Sequence, residues 1–231
     1  MLLEREFEIL SNQNVLVKLF RFLKYKVKDL FDREERKRFK MYGLTIFAGM
    51  QGSGKTMSLV EQLERIRKKY PDVLICTNFG YIHEDISLDS WEQILTLRNE
   101  AGVVFAIDEI QNEFDVYDTR NFSSRVLSVA TQQRKQQIKI FGTSQHFSRV
   151  TKPLREQTFE VVECYTVGGW WTFQRCFNAK DYEDTIARPE ARKKLHRRWR
   201  RNFVQSKKIR ELYDSYAVIN KMIALEKENK K

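Results

Sequence analysis

Leu44-Thr45-Ile46-Phe47-Ala48-Gly49-Met50-Gln51-Gly52-Ser53-Gly54-Lys55-Thr56 is the stretch that decides how this chain folds. From Gly49 onward it spells G-x-x-x-x-G-K-[ST], a phosphate-binding loop. An apolar, strand-like run precedes the loop, and a helical pattern of Met57, Val60, Leu63 and Ile66 follows it. Glycines let the backbone close around phosphates, with its N–H groups and the next helix N-terminus facing the anion. The candidate nucleotide-binding set is therefore Gly49, Gln51, Gly52, Ser53, Gly54, Lys55, Thr56 and Met57. Lys55 is expected to reach the β- and γ-phosphates, and the Thr56 hydroxyl to bind Mg²⁺. A chance glycine-rich turn is the alternative, and it leaves the flanking strand and helix patterns unexplained.

A second run turns binding toward hydrolysis. Val103-Val104-Phe105-Ala106-Ile107 is continuously apolar, as in a strand buried on both faces of a parallel sheet, and it ends in Asp108-Glu109. Asp108 is placed to hold Mg²⁺ beside Thr56 as the Walker B residue. Glu109 is placed to polarise an attacking water. Without the phosphate loop, such an ending would mean no more than an acidic turn. With it, the pair points to a nucleoside triphosphatase and away from a small-molecule kinase.

The third signal is Ile138-Lys139-Ile140-Phe141-Gly142 followed by Thr143-Ser144-Gln145. A strand beside the Walker B strand that ends in a polar residue can report the γ-phosphate; Gln145 is the first candidate, Thr143 or Ser144 the second. Arg134, at the end of the preceding helical pattern, could stabilise transition-state charge in a neighbouring subunit, with Arg149 and Arg155 as competitors. Polar strand ends and surface arginines are common, so these residues gain meaning from the first two motifs.

Composition bounds the rest. The 231 residues suffice for one α/β domain with extensions. A net charge of +11 and a pI near 9.5 point to an anionic partner, nucleic acid or a membrane surface. Cys76, Cys164 and Cys176 lack zinc-ligand spacing and are read as reduced thiols; Cys164 and Cys176 flank a hairpin turn out of cross-strand register. His83, His146 and His196 are scattered and read as structural. No run of eighteen apolar residues and no signal peptide is present, so no bilayer span is expected.

The expected fold class is α/β: a three-layer sandwich around a mostly parallel sheet, with an appended β-hairpin and basic helices at both ends. Residues 1–40 form a basic amphipathic extension, with Leu16, Phe20, Leu23, Val27 and Leu30 on one helical face. Such a helix packs on the domain or a neighbour, or lies on a membrane or DNA. Residues 41–180 form the nucleotide-binding domain: strands at 44–48, 72–77, 103–107 and 138–143, helices at 55–69 and 121–136, a loop over 78–90, and a short helix over 91–97. Thr158–Thr166 and Trp170–Phe177 bracket Val167-Gly168-Gly169 as a hairpin. Residues 181–231 read as helical and basic.

The phosphate loop, the strand ending Ile107-Asp108-Glu109-Ile110-Gln111, and Arg134 with Ile138–Gln145 together resemble the Zot-like ATPases. These are the zonula occludens toxin and filamentous-phage assembly proteins, within the wider FtsK/HerA group of DNA-translocating motors. Thr77-Asn78 after the second strand and Leu212-Tyr213-Asp214-Ser215-Tyr216 near the end are similar to segments of that group. The resemblance spans residues 43–216. It implies an ATP-driven motor of a phage or mobile element, acting as a homo-oligomeric, hexameric ring on DNA during virion assembly, packaging or extrusion. It also implies that Lys55 and Thr56 bind phosphate and Mg²⁺, Asp108 holds Mg²⁺, Glu109 activates water and Gln145 senses the γ-phosphate.

The sequence departs from that group in showing no transmembrane helix after the ATPase region. Instead, residues 192–210 hold ten Lys or Arg and no acid, interleaved with His196, Trp199 and Phe203. Such a run neutralises phosphates, and its aromatics can stack on the bases of a single strand, so DNA, single-stranded in preference, is the expected partner. A helix on acidic lipid is the alternative. The departure favours a location in the host bacterial cytoplasm, with peripheral inner-membrane, coat-protein or virion contact as further options. Two rivals stand beside the motor: a membrane-docked assembly ATPase using residues 14–31, and a monomeric regulatory ATPase.

Overall fold

The computed structural model describes residues 14–31, 38–90, 92–113 and 137–213. Residues 1–38 and 39–231 are separate compact units. The described part of the first is one helix, α1 (Val15–Phe31), on which Leu16, Phe20, Leu23 and Val27 recur at helical spacing. Among the described residues no helix is long and apolar enough to cross a membrane.

The second unit is built on one sheet of eight strands. In chain order they are β1 (Gly43–Ala48), β2 (Leu74–Thr77), β3 (Ile86–Ser87), β4 (Val103–Ile107), β5 (Ile138–Ser144), β6 (Thr158–Val167), β7 (Trp171–Asn178) and β8 (Arg197–Val204). Across the sheet the order is β3-β2-β4-β5-β1-β6-β7-β8. All pairings from β3 to β6 are parallel, and β6-β7-β8 is an antiparallel meander. The fold is α/β with a mostly parallel sheet.

Continuous apolar runs mark the middle of this sheet because helices cover both of its faces. Every residue of β1, β4 and β5 is buried. Alternate side chains feed two cores. Leu44, Ile46, Phe105, Ile107 and Ile140 face one side with Phe147, Leu154 and Ala179. Phe47, Val104, Ala106 and Phe141 face the other, against Leu59, Val60, Leu63 and Ile66 of α2 (Lys55–Lys69). That burial sets β1, β4 and β5 side by side with β5 in the middle, so the residues after all three strands converge at one end of the sheet.

Two sequence expectations need correction. The 78–90 stretch is not all loop, because Ile86–Ser87 adds a strand to β2. The Asp85 carboxylate there accepts the Ile75 N–H at 2.7 Å, and Leu88 N–H bonds Thr77 O at 2.7 Å. Two residues are too few to show a period. The region after residue 180 is also not uniformly helical. Helices form at α4 (Ala179–Ala187) and α5 (Lys207–Arg210), but Arg197–Val204 is β8, paired along β7. Trp199 and Phe203 stand four apart, a spacing that helix and strand share, and pairing with β7 settles which is formed. The short helix expected over 91–97 is α3 (Glu92–Thr96). The helix expected over 121–136 lies outside the described residues.

The hairpin turns at Gly168 (φ 58°) and Gly169 (φ 73°), left-handed conformations open to glycine. Cys164 faces Gln174 and Cys176 faces Val162, so the two thiols are out of register. All three cysteines are buried and free, and burial pushes each thiol up to about 12.

Candidate nucleotide-binding site

The chain leaves β1 at Gly49, whose N–H reaches Ser144 O at 3.3 Å. A Cβ on Gly49 would stand 2.6 Å from the Cys164 carbonyl of β6, so the neighbouring strand demands glycine there. The loop then turns through left-handed Gly52 (φ 76°) and Gly54 (φ 83°) into α2. A Cβ on Gly54 would stand 2.6 Å from Thr166 Oγ1, because the hairpin packs directly under the loop. Thr166 donates to Ser53 O (3.0 Å) and shares a hydroxyl bond with Thr172 (2.9 Å), and Gln205 Nε2 donates to Thr172 (2.7 Å). The phosphate loop thus rests on a polar brace that follows β6, β7 and the end of β8.

Lys55 is buried; its ammonium donates to Met50 O at 3.4 Å and lies 3.8 Å from Glu109 Oε1. Asp108 follows β4 and is fastened by its backbone: its N–H donates to Asn78 Oδ1 (2.7 Å) and its carbonyl accepts from Asn78 Nδ2 (3.2 Å). Two hydroxyls converge on its carboxylate. Thr143 donates to Oδ1 at 2.6 Å, and Thr56 lies 3.1 Å from Oδ1 and 3.3 Å from Oδ2. Burial raises the Asp108 pKa; the Thr143 and Thr56 hydrogen bonds oppose it, Glu109 adds to it, and Lys55 lowers it.

Glu109 sits at φ 49°, a left-handed conformation that costs a non-glycine residue about 1–3 kcal/mol and recurs at functional positions. Its N–H donates to Thr143 Oγ1 at 2.9 Å, and one carboxylate oxygen accepts from Gln111. The Thr143 hydroxyl therefore accepts from Glu109 and donates to Asp108, tying the two acids to the end of β5. An ionised carboxylate beside a threonine hydroxyl is a hard-oxygen pair, and Mg²⁺ is held through one or two such groups plus phosphates and water. Asp108 and Thr56 fit that ion. The buried Ser53 hydroxyl oxygen, with no partner among the described residues, adds a polar group inside the loop.

The N-terminal domain of zonular occludens toxin from Neisseria meningitidis aligns with 75% of this chain and all of its own length, at TM-score 0.55 and 16% identity. The chain has a Zot-like fold. The genome packaging NTPase B204 of Sulfolobus turreted icosahedral virus 2, bound to ATP-gammaS, covers 60% of this chain and 93% of its own at TM-score 0.42 and 10% identity, too loose to define a shared fold. No protein-family model and no curated protein matches the sequence.

Within the Zot-like fold, Gly49, Ser53, Gly54, Lys55, Thr56, Asp108 and Glu109 come together at the ends of β1 and β4. Gln51 and Gly52 form the exposed tip of the loop, while the Met57 side chain is buried in the core, leaving its backbone to serve an anion. Gln145 makes no hydrogen bond to either acid among the described residues. It accepts from Arg149 Nη1 at 3.0 Å and lines a cavity of about 460 Å³ beside Gly49 and Met50. Thr143, the second candidate in sequence, takes the contact with Asp108. Arg155 is engaged with Glu183 at 2.9 Å, and Arg134 lies outside the described residues.

Three participants were missed. Asn78 was noted as a motif residue, yet its grip on Asp108 depends on β2 lying beside β4. Tyr213 is drawn in by a bridge to Tyr81 and feels the Asp108 charge: burial first, then that carboxylate, raises its phenol. The hairpin brace had no signal in the sequence, since threonines at alternate strand positions carry no mark of what they face.

Proposed function

We propose that this chain is a Mg²⁺-dependent ATPase of a phage or mobile element that couples hydrolysis to movement of DNA during virion assembly, packaging or extrusion. The observation that carries the reading is the convergence of the Thr56 and Thr143 hydroxyls on Asp108, with Glu109 anchored to Thr143 and facing Lys55. Lys55 and the loop N–H groups would bind the β- and γ-phosphates and neutralise charge as the terminal phosphoryl group leaves. Asp108 and Thr56 would hold Mg²⁺, which when bound offsets phosphate charge. Glu109 would orient and deprotonate the attacking water, its carboxylate steadied by Gln111. Thr143 keeps the two acids in register.

The net charge of +11 supports an anionic track, and the resemblance supports a homo-oligomeric ring, with Arg134 supplied to the neighbouring subunit, on the cytoplasmic side of the host envelope. Steady-state ATPase assays with and without single- and double-stranded DNA test the reading. Activity raised by DNA and abolished by Lys55→Ala and Glu109→Gln supports it. Activity abolished by both substitutions yet indifferent to DNA removes DNA from the function and leaves an assembly ATPase.

A further inference from the structure

The outward face of the β6-β7-β8 meander carries rows of side chains set by the strand register. One row is Val167, Trp171 and Val204; the next is Tyr165, Phe173 and Asn202; the third is Glu163, Arg175 and Arg200. The Tyr165 and Phe173 rings stack at 5.0 Å with planes 7° apart, and Trp171 leans on Phe173 at 4.8 Å. The Arg175 guanidinium lies 4.9 Å over the Tyr165 ring and donates to its hydroxyl at 3.2 Å. At the turn, Arg210 lies 3.9 Å over the Trp170 ring. Both tryptophans are about half exposed, Trp170 at 53% and Trp171 at 48%.

Cross-strand aromatic pairs can serve pairing alone. Here the opposite face already holds the meander in place: Thr172, Gln174 and Cys176 are buried, and Arg201 reaches Gln62 of α2 at 3.0 Å. The outward pile of planar groups is not needed to close the core, and it ends in solvent among guanidinium groups. Arg200 is exposed and has no ion-pair partner among the described residues.

We propose that this face binds a single-stranded nucleic acid, with bases extending the aromatic pile at Trp171 and phosphates meeting Arg175 and Arg200. Unpaired bases offer the ring faces that such a pile takes up, whereas a duplex keeps them inside its own stack. The proposal moves the stacking role away from Trp199 and Phe203, which share the inward face with Arg201, to Tyr165, Trp171 and Phe173 of the hairpin. It deepens the reading of the chain as a DNA-moving ATPase and rests on it.

The test is binding of fluorescent oligo(dT), oligo(U) and a DNA duplex to the full chain over a salt series. Folding is checked by thermal unfolding, and basal ATPase is measured in parallel. Trp171→Ala is expected to weaken single-strand binding about tenfold with the salt slope unchanged, Trp171→Phe to retain most of it, and Trp170→Ala, which lies off this face beneath Arg210, to retain all of it. Arg200→Ala, on an exposed edge strand and free of packing consequences, is expected to reduce the slope of log K against log salt by about 0.7. Basal ATPase stays unchanged in all four variants. Wild-type DNA binding that every variant keeps within about twofold overturns the platform and leaves the DNA-moving reading standing. A wild type with Lys55-dependent ATPase that binds no nucleic acid overturns both. Loss of binding to anionic phospholipid vesicles in Trp171→Ala, with oligo(dT) binding intact, overturns the proposal in favour of a membrane face.

Discussion

The two halves of the sheet are built by different rules. From β3 to β1 the strands are parallel, and the central three are buried on both faces, so their residues are mostly apolar, with Thr45, Lys139, Thr143 and Ser144 as the buried polar exceptions. From β6 to β8 the strands are antiparallel, and alternate side chains look into the protein or out to solvent. The first half holds Lys55, Asp108 and Glu109, the groups proposed to meet phosphate, Mg²⁺ and water, at its strand ends. The second supports the phosphate loop from beneath through Thr166, Thr172 and Gln205, and turns aromatics and arginines outward. The proposed chemistry sits where the backbone is most tightly determined; the proposed recognition sits where one face was left open.

The sharpest way to break this division is to remove the chemistry and ask whether recognition survives. Lys55→Ala and Glu109→Gln should lower kcat at least about 10²-fold and leave oligo(dT) affinity unchanged. A parallel loss of DNA binding in both would show that the halves are not separable. A finer cut distinguishes the two sensor candidates on β5. Thr143→Ala removes a charge-assisted hydrogen bond to Asp108 and the acceptor of the Glu109 N–H, and should cost roughly tenfold to a hundredfold in kcat with little change in nucleotide affinity. Gln145→Ala, which loses a partner in Arg149 alone, should cost less than about threefold in the same assay. The reverse order would return the sensing role to Gln145.

The brace can be probed from the other half. Thr172→Val leaves Gln205 and Thr166 short of a partner inside the protein and should destabilise by about 1–3 kcal/mol in urea unfolding. It should also weaken nucleotide binding, since Thr172 packs against Gly54 and hydrogen-bonds the loop through Thr166. Unchanged nucleotide affinity at reduced stability would mean that the hairpin supports the fold and not the loop.

The smallest effect lies in the parallel half. Lys139 is 4% exposed and bonded to Thr45 Oγ1 (2.7 Å) and Tyr42 O (3.3 Å); burial pulls its ammonium down to about 8, against the opposing charge of Glu160. The folded form then holds fewer protons than the unfolded chain between pH 8 and the unperturbed value of 10.5. Lys139 therefore penalises folding below that window, and its penalty is relieved as pH rises through it, by at most about 1.4 kcal/mol per pH unit. The buried thiols, raised to about 12, act in the opposite direction above pH 9. Urea unfolding from pH 7 to 9 in wild type and Lys139→Met isolates the lysine, because the thiols are common to both. Identical pH dependence in the two proteins would show that Lys139 stays charged in the fold.

Legibility in the sequence followed the same division. β1, β4 and β5 were read within a residue or so of their ends because full burial leaves a mostly apolar run, unbroken in β4 and interrupted at Thr45 in β1 and Lys139 in β5. The phosphate loop was legible because close approach to phosphate restricts residue type at fixed spacing. Lys55, Thr56, Asp108 and Glu109 were found from those two facts. β8 was misread as helix because charge density and an i, i+4 aromatic pair suit either period. Its strand form depends on β7, twenty-odd residues earlier. Gln145 was ranked above Thr143 on chemistry alone; that Thr143 bonds Asp108 follows from β5 lying beside β4, which a list of residues does not show.

By itself the sequence determined the class of fold and the chemical groups of the nucleotide site, because both rest on short-range patterns: burial period, glycine conformation and motif spacing. The tertiary structure alone decided which hydroxyl reaches Asp108, that Asn78 and Tyr213 join it, that the hairpin braces the phosphate loop, and which aromatics of the meander face outward. Those depend on strand order and register, which arise from contacts between residues far apart in the chain.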